Sequence, residues 1–230
     1  MLRVEKLRIV QGGFALNADF EVAGGRRVAV IGPSGAGKST LLNALGGYID
    51  VAAGSVEVDG QDVTNAAPDK RGIAMLFQDG NLFPHLTLAQ NVGLGMRPAL
   101  QLTADESSQV HEALGRVGLA EFADRKPGDV SGGQQSRAAL ARVLVQAKPL
   151  LLLDEPFAAL GPALRVEMLD LTAQVARDAG ATMLMITHAP EDAERADDLI
   201  FVEAGVVTPP APVAAVLADL PPALRAYLGR

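Results

Sequence analysis

Apolar residues along this chain gather in short unbroken runs. Val28-Ala-Val-Ile31, Leu150 to Leu153, Met183-Leu-Met-Ile186 and Leu199-Ile-Phe-Val202 each place adjacent apolar side chains on both faces of an extended backbone. Continuous runs of this length predict strands covered on both sides, as in parallel sheets. Stretches of helix-forming composition lie between them. Lys38–Leu45 follows the first run, Ser131–Ala147 precedes the second, Ala163–Ala179 follows it, and Pro190–Ala196 follows the third. Pro190 sits near a helix's first turn, where a missing N–H is no loss. Strands alternating with helices predict an α/β fold with a doubly wound, mainly parallel sheet.

Two regions break this rhythm. Residues 1–27 with 51–77 read as short strands separated by turns at Gly24-Gly25 and Asp59-Gly60, and predict an antiparallel β lobe. Residues 86–130 are rich in helix formers and predict a small helical lobe. The tail, 205–230, holds five prolines and short Ala/Leu segments, and predicts one or two peripheral helices. No fixed-period repeat and no long linker is visible, so 1–230 is expected to form a single domain.

Composition narrows the classes. The chain of 230 residues has no cysteine, which excludes disulfide scaffolds, iron–sulfur clusters and thiol catalysis. Twenty basic against 27 acidic residues give a net charge of −7, so there is no global attraction for nucleic acid or anionic lipid. Any phosphate must be held by local geometry. Apolar residues make up 49% of the chain and the mean hydropathy is +0.21. A membrane span needs about 20 apolar residues in a row, whereas Lys148 and Asp154 close the most apolar stretch, Pro149 to Leu153. The N-terminus alternates charges and lacks a signal peptide's apolar segment. A soluble chain with an aliphatic core is expected.

Three motifs carry chemistry. Gly32-Pro33-Ser34-Gly35-Ala36-Gly37-Lys38-Ser39-Thr40 matches G-x-x-x-x-G-K-[ST] and stands between a predicted strand and helix. Its glycines let successive N–H groups face one concavity, and the helix N-terminus adds partial positive charge there. In such a loop Lys38 bridges the β- and γ-phosphates of a nucleotide and Ser39 ligates Mg²⁺. Leu150-Leu-Leu-Leu-Asp154-Glu155 ends a buried strand in two carboxylates, at the sheet edge where ligands bind. Asp154 is the candidate Mg²⁺ holder and Glu155 the candidate general base. Ser131-Gly132-Gly133-Gln134 starts a long helix, with Ser131 as N-cap and two glycines expected to leave backbone N–H groups bare. A second phosphate-binding helix end makes sense if it faces a nucleotide held by a second copy.

This combination resembles the ATP-binding subunits of ABC transporters over essentially the whole chain. The resemblance makes Ser131-Gly-Gly-Gln134 the family signature and Gln78 the glutamine that senses Mg²⁺ and the transport partner. It makes His188 the switch histidine at the γ-phosphate. It implies two copies sandwiching two ATP molecules, an integral membrane permease as partner, and a periplasmic solute-binding protein acting indirectly. The location implied is peripheral, on the cytoplasmic face of the bacterial inner membrane. Within the family, Met75–Thr87, Gln90–Gly95 and Pro156-Phe-Ala-Ala-Leu160 resemble the importer ATPases for thiamine and thiamine pyrophosphate. Importers of iron, polyamines, sulfate or molybdate share much of this pattern, although many carry a C-terminal regulatory domain for which this length leaves no room. A soluble ABC ATPase acting on DNA or ribosomes is the other alternative. The short stretch between Gln78 and Ser131 lacks the coiled-coil insertion of the DNA-repair members.

The sequence departs from the family pattern in places. Gly161 stands where an Asp is usual, which implies weaker coupling between the two ATP sites. Val130 replaces Leu, and Gln135 replaces Arg. No Tyr lies near Gln11 to stack on adenine; Phe14, the nearest aromatic, is either that stacking partner or a core residue. Met75, Met183 and Met185 read as core filler, and the run Glu191–Asp198 as a solvated helix face.

Overall fold

The computed structural model describes residues 1–78, 80–158 and 160–228. Asp79, Ala159, Gly229 and Arg230, which fall within stretches discussed above, lie outside the described residues. The chain divides into two compact units, one of Met1–Ile73, Pro149–Glu155 and Gly180–Arg230, the other of Ala74–Lys148 and Pro156–Ala179.

The first unit is built on a mixed sheet. Its strands are β1 (Leu2–Gln11), β2 (Phe14–Val22), β3 (Arg27–Ile31), β4 (Ala53–Val58) and β5 (Gln61–Asp62). The chain leaves the unit within β6 (Ile73–Leu76) and returns as β7 (Leu150–Asp154), β8 (Thr182–Ile186), β9 (Asp198–Glu203), β10 (Val206–Val207) and β11 (Ala211–Pro212). The order across the unit is β5-β4-β1-β2-β10-β9-β3-β8-β7, with β11 beside β9. β3 runs parallel to both β8 and β9, and β7 parallel to β8. β1 pairs antiparallel with β2 and with β4. β1 and β2 are ten and nine residues long, longer than the short strands their turn-rich sequence predicts. They alternate buried and exposed positions, as strands wetted on one face should. The continuous runs β3, β7 and β8 are instead buried along nearly their whole length. Each fully buried Leu of β7 contributes about 2 kcal/mol of transfer free energy.

The tail is more deeply built in than peripheral helices would be. Val206 pairs with Asn17 of β2 and with Glu203 of β9, so β10 bridges the antiparallel and parallel parts of one sheet. Two short helices follow, α7 (Val213–Ala218) and α8 (Pro222–Leu228). Val213 and Leu224 enter the core beside Ile31, Leu199 and Phe201. The unit's other helices are α1 (Lys38–Gly46) and the four-residue α6 (Pro190–Ala193).

The run Glu191–Asp198 is a solvated face only in part: Glu191, Glu194 and Arg195 are exposed, but its aspartates are not. α6 ends at Ala193, and Asp197 leads into β9. Asp198 and Asp197 form paired bridges to Arg26 and Arg27, at 2.7 Å from Arg26 Nε and 2.6 Å from Arg27 Nη2. Asp192 is buried and accepts from Thr187 Oγ1 at 2.6 Å. A charge run looks solvated by composition, but here Asp192, Asp197 and Asp198 each have a basic or hydroxyl partner that composition does not reveal.

The second unit is mainly helical: α2 (Leu88–Gly93), α3 (Ala104–Arg116), α4 (Gly132–Leu144) and α5 (Pro162–Asp178). Three of these begin with capping boxes, Thr87 with Gln90, Thr103 with Glu106, and Ser131 with Gln134. In each box two orphan N–H groups are satisfied by the paired side chains. Asn91, fully buried, receives the Phe83 N–H at 2.7 Å and donates to Phe83 O at 3.0 Å. Arg142 donates to Gly80 O and Asn81 O at 2.6 and 2.7 Å. The loop before α2 is therefore held from both ends.

Candidate active site

The carboxyl ends of β3, β7 and β8 converge in the first unit, and each delivers one functional group. β3 runs into the phosphate loop. Gly32 has φ 151°, and a Cβ there would stand 2.0 Å from the backbone oxygen of Val202. Gly37 has φ 105° and lies so close to Leu16 and Phe14 that a Cβ would meet them at 2.6 and 2.7 Å. Only glycine suits either position. Gly37 is also the N-cap of α1 and supplies no side-chain cap, so the helix start remains open toward the loop.

Lys38 is buried and donates to Gly32 O at 2.8 Å and Pro33 O at 2.9 Å. Burial lowers its pKa, opposed by the carboxylates of Glu155 and Asp154. The ammonium is thus pre-placed in the loop on neutral carbonyls, which a phosphate can replace with a stronger charged acceptor. Ser39 Oγ lies 3.2 Å from Asp154 Oδ1 and donates to it. Burial raises the Asp154 pKa, and the Ser39 hydrogen bond partly offsets this. A desolvated carboxylate beside a hydroxyl gives two hard oxygen donors, which suits a divalent cation that keeps most of its waters.

Glu155, at the end of β7, has φ 46°. The left-handed region costs a non-glycine residue about 1–2 kcal/mol and is tolerated where the surroundings over-determine it. Pro156 follows directly. His188, just beyond β8, places Nε2 2.7 Å from Glu155 Oε1. Its loop is fixed from behind, since Thr187 Oγ1 donates to Asp192 and accepts the Ala189 N–H at 3.1 Å. Phe14, half-buried, joins the phosphate loop, Glu155 and His188 around an open cleft of about 410 Å³. That volume is within the range of small-molecule sites.

The first unit alone therefore gathers Phe14, Gly32–Thr40, Asp154, Glu155 and His188. Gln78 and Ser131–Gln134 belong to the second unit. There Gln78 and Gly132 line one groove with Leu76, Leu82, Gln135 and Ala139. The signature helix starts at the expected cap. Ser131 Oγ accepts the Gln134 N–H at 3.3 Å and Gln134 Oε1 accepts the Ser131 N–H at 2.9 Å, a reciprocal box on either side of the two glycines. The S-x-x-Q spacing was the available signal. Gly133 is required by packing, as a Cβ would lie 2.4 Å from Leu164 Cδ2 of α5. Gly132 faces open space. Gly161 is the N-cap of α5 with no side-chain cap.

Residues 16–158, more than half of the chain, match the ABC transporter family. The chain belongs to this family. It is 56% identical over its full length to a thiamine import ATP-binding protein of Cereibacter sphaeroides, and 56% identical to that of Ruegeria sp., covering all of each relative. The corresponding protein of Brucella suis is 46% identical, over 99% of this chain and 95% of the relative. Among solved structures, an ATP-binding cassette of an ABC transporter in its ADP conformation superposes with TM-score 0.86 at 25% identity, over 100% of this chain and 99% of that one. A dimeric ATP-binding cassette in a post-hydrolysis state with ADP and Pi gives TM-score 0.81 at 28% identity, over 93% and 99%. Among the described residues no helix is long and apolar enough to cross a membrane.

Proposed function

We propose that this chain is the ATP-hydrolysing subunit of a bacterial importer for thiamine or thiamine pyrophosphate. The observation that carries the hydrolytic part is the meeting of the phosphate loop, Asp154 and the Glu155–His188 pair at three strand ends of one unit. The solute follows from the full-length likeness to thiamine import proteins.

In this reading Gly32–Thr40 cradle the triphosphate by backbone N–H groups, and Lys38 turns from its two carbonyls onto the β- and γ-phosphates. Phe14 offers a face for adenine. Ser39 and Asp154, with Gln78, hold Mg²⁺, which supplies charge neutralisation at the phosphates when bound. Glu155 accepts a proton from a water as its oxygen attacks the γ-phosphorus, and ADP leaves as the P–O bond breaks. His188, released from Glu155, donates Nε2–H to the γ-phosphate. Ser131–Gln134 of a second copy close over the same nucleotide. The exposed Phe83 and the firmly held loop before α2 offer the second unit's surface to a membrane permease, with a periplasmic binding protein acting on the far side. The chain then works as a peripheral protein on the cytoplasmic face of the inner membrane.

Two measurements test this. Glu155→Gln in the assembled transporter is expected to retain ATP binding while turnover falls by about 10²–10⁴; unchanged turnover removes Glu155 as base. Uptake of labelled thiamine by cells with and without this chain tests the solute. Uptake of iron, polyamine, sulfate or molybdate in its place would reassign the importer and leave the ATPase reading intact.

A further inference from the structure

The tail ends against the back of the active-site histidine. The Tyr227 hydroxyl of α8 lies 3.5 Å from His188 Nδ1. Its ring packs on Phe201 of β9 with centroids 6.1 Å apart, and Leu224, one turn earlier, is 1% exposed in the same cluster. The backbone of Gly32, first residue of the phosphate loop, offsets part of the burial that raises the Tyr227 pKa. One phenol thus stands between the phosphate loop and the histidine, anchored by a buried leucine.

The other nitrogen of the ring explains what the hydroxyl does. Nε2 faces a Glu155 carboxylate oxygen at 2.7 Å, and a carboxylate offers only acceptor positions, so this contact favours the ring hydrogen on Nε2 without fixing it alone. In the neutral ring Nδ1 is then an acceptor, and Tyr227 is the donor beside it. Burial raises the Tyr227 pKa, which keeps the hydroxyl protonated and able to donate. At 3.5 Å the contact is at the long end of hydrogen-bond distances.

We propose that Tyr227 is a positioning residue that holds His188 in its Nε2–H tautomer and points that hydrogen into the nucleotide cleft, so that the C-terminal helix is part of the hydrolytic machinery. This rests on the role assigned to His188 above. With Nδ1 occupied, the nitrogen facing the cleft is always a donor, whether its acceptor is Glu155 or a phosphate oxygen. Without the hydroxyl, the alternative tautomer turns a lone pair toward that oxygen.

The test uses the full-length chain carrying Tyr227→Phe, which keeps the ring on Phe201 and removes only the hydroxyl. Expected are a kcat for ATP hydrolysis lower by about three- to tenfold, the worth of one net hydrogen bond, with the KM for ATP and the melting temperature unchanged. The chain has three histidines, so ring ¹⁵N shifts can be assigned to His188. They are expected to report the Nε2–H form in the unaltered protein and a tautomer mixture in Tyr227→Phe. An unchanged kcat with unchanged ¹⁵N shifts overturns the inference, as does a kcat loss matched by an equal loss of melting temperature. His188→Ala separates the two levels. If it hydrolyses ATP at the unaltered rate, the reading of His188 falls and this inference with it. If it is severely slowed while Tyr227→Phe is not, only Tyr227 loses its role.

Discussion

Two helices of this protein begin at glycine-rich motifs and solve the same problem in opposite ways. Every helix start has backbone N–H groups without an intrahelical partner. α1 opens at a left-handed Gly37, lacks a side-chain cap, and lies against Phe14 and Leu16. α4 opens at an extended Ser131 whose capping box with Gln134 satisfies two donors, and its first residue, Gly132, is exposed. The first start is complete only when something outside the helix fills it. The second supplies part of its own cap and adds an open backbone face at Gly132. A phosphate loop needs unfilled donors in a fixed cradle, whereas a surface meant to close on another molecule must remain stable while it waits.

Glycine substitution separates the two most sharply. Gly32→Ala drives a Cβ to 2.0 Å from a backbone oxygen of Val202. It is expected to cost about 3 kcal/mol of stability and to abolish nucleotide binding, measured by denaturant unfolding and by ATP titration. Gly132→Ala meets nothing within 4 Å, so its melting temperature should not fall. Loss of ATP-driven dimerisation without loss of fold would be its signature; equal destabilisation by both substitutions would dissolve the contrast.

The phosphate loop also depends on the strand that feeds it. Asp197 accepts from the Arg27 backbone N–H at 2.9 Å and from its guanidinium at 2.6 Å, and these bonds with Arg27 hold its pKa below the ordinary value. A carboxyl depressed in the folded state stabilises it fully above the unfolded pKa, near 4. That stability is lost as pH falls through the lower folded value. Asp197→Asn is expected to cost about 2 kcal/mol near neutral pH and to flatten the acid limb of a stability–pH curve. An unchanged acid limb would show that the pair does not anchor β3.

Smaller effects belong to the helical unit. Ser131→Ala removes one cap and should cost about 1 kcal/mol, read as faster amide exchange in the first turn of α4. Gly161→Asp fills an uncapped start where a Cβ meets nothing within 4 Å, and should add a few tenths of a kcal/mol. If Gly161 weakens coupling between paired sites, the same substitution raises the cooperativity of ATP hydrolysis in the assembled transporter; no change in rate or cooperativity sinks that idea.

The sequence by itself determined the parts whose information is local. Unbroken apolar runs marked β3, β7, β8 and β9, because the middle of a strand buried on both faces favours apolar side chains at successive positions. The phosphate loop was legible because its glycines, Lys38 and Ser39 act within one turn of chain. The capping boxes at Thr87, Thr103 and Ser131 are equally local in spacing, although from sequence only Ser131 stands out as a cap. Only the tertiary structure decided what depends on residues far apart in the chain. The strained backbone of Glu155 and its 2.7 Å contact with His188 arise from two strands meeting side by side. The acidic run from Glu191 looked solvated until Arg26, Arg27 and Thr187 arrived as partners from other strand ends. The tail looked peripheral until Val206 joined β2 to β9 and Tyr227 reached His188. Periodicity records whether a residue is buried. It does not record against what, and the chemistry of this site lies in that second fact.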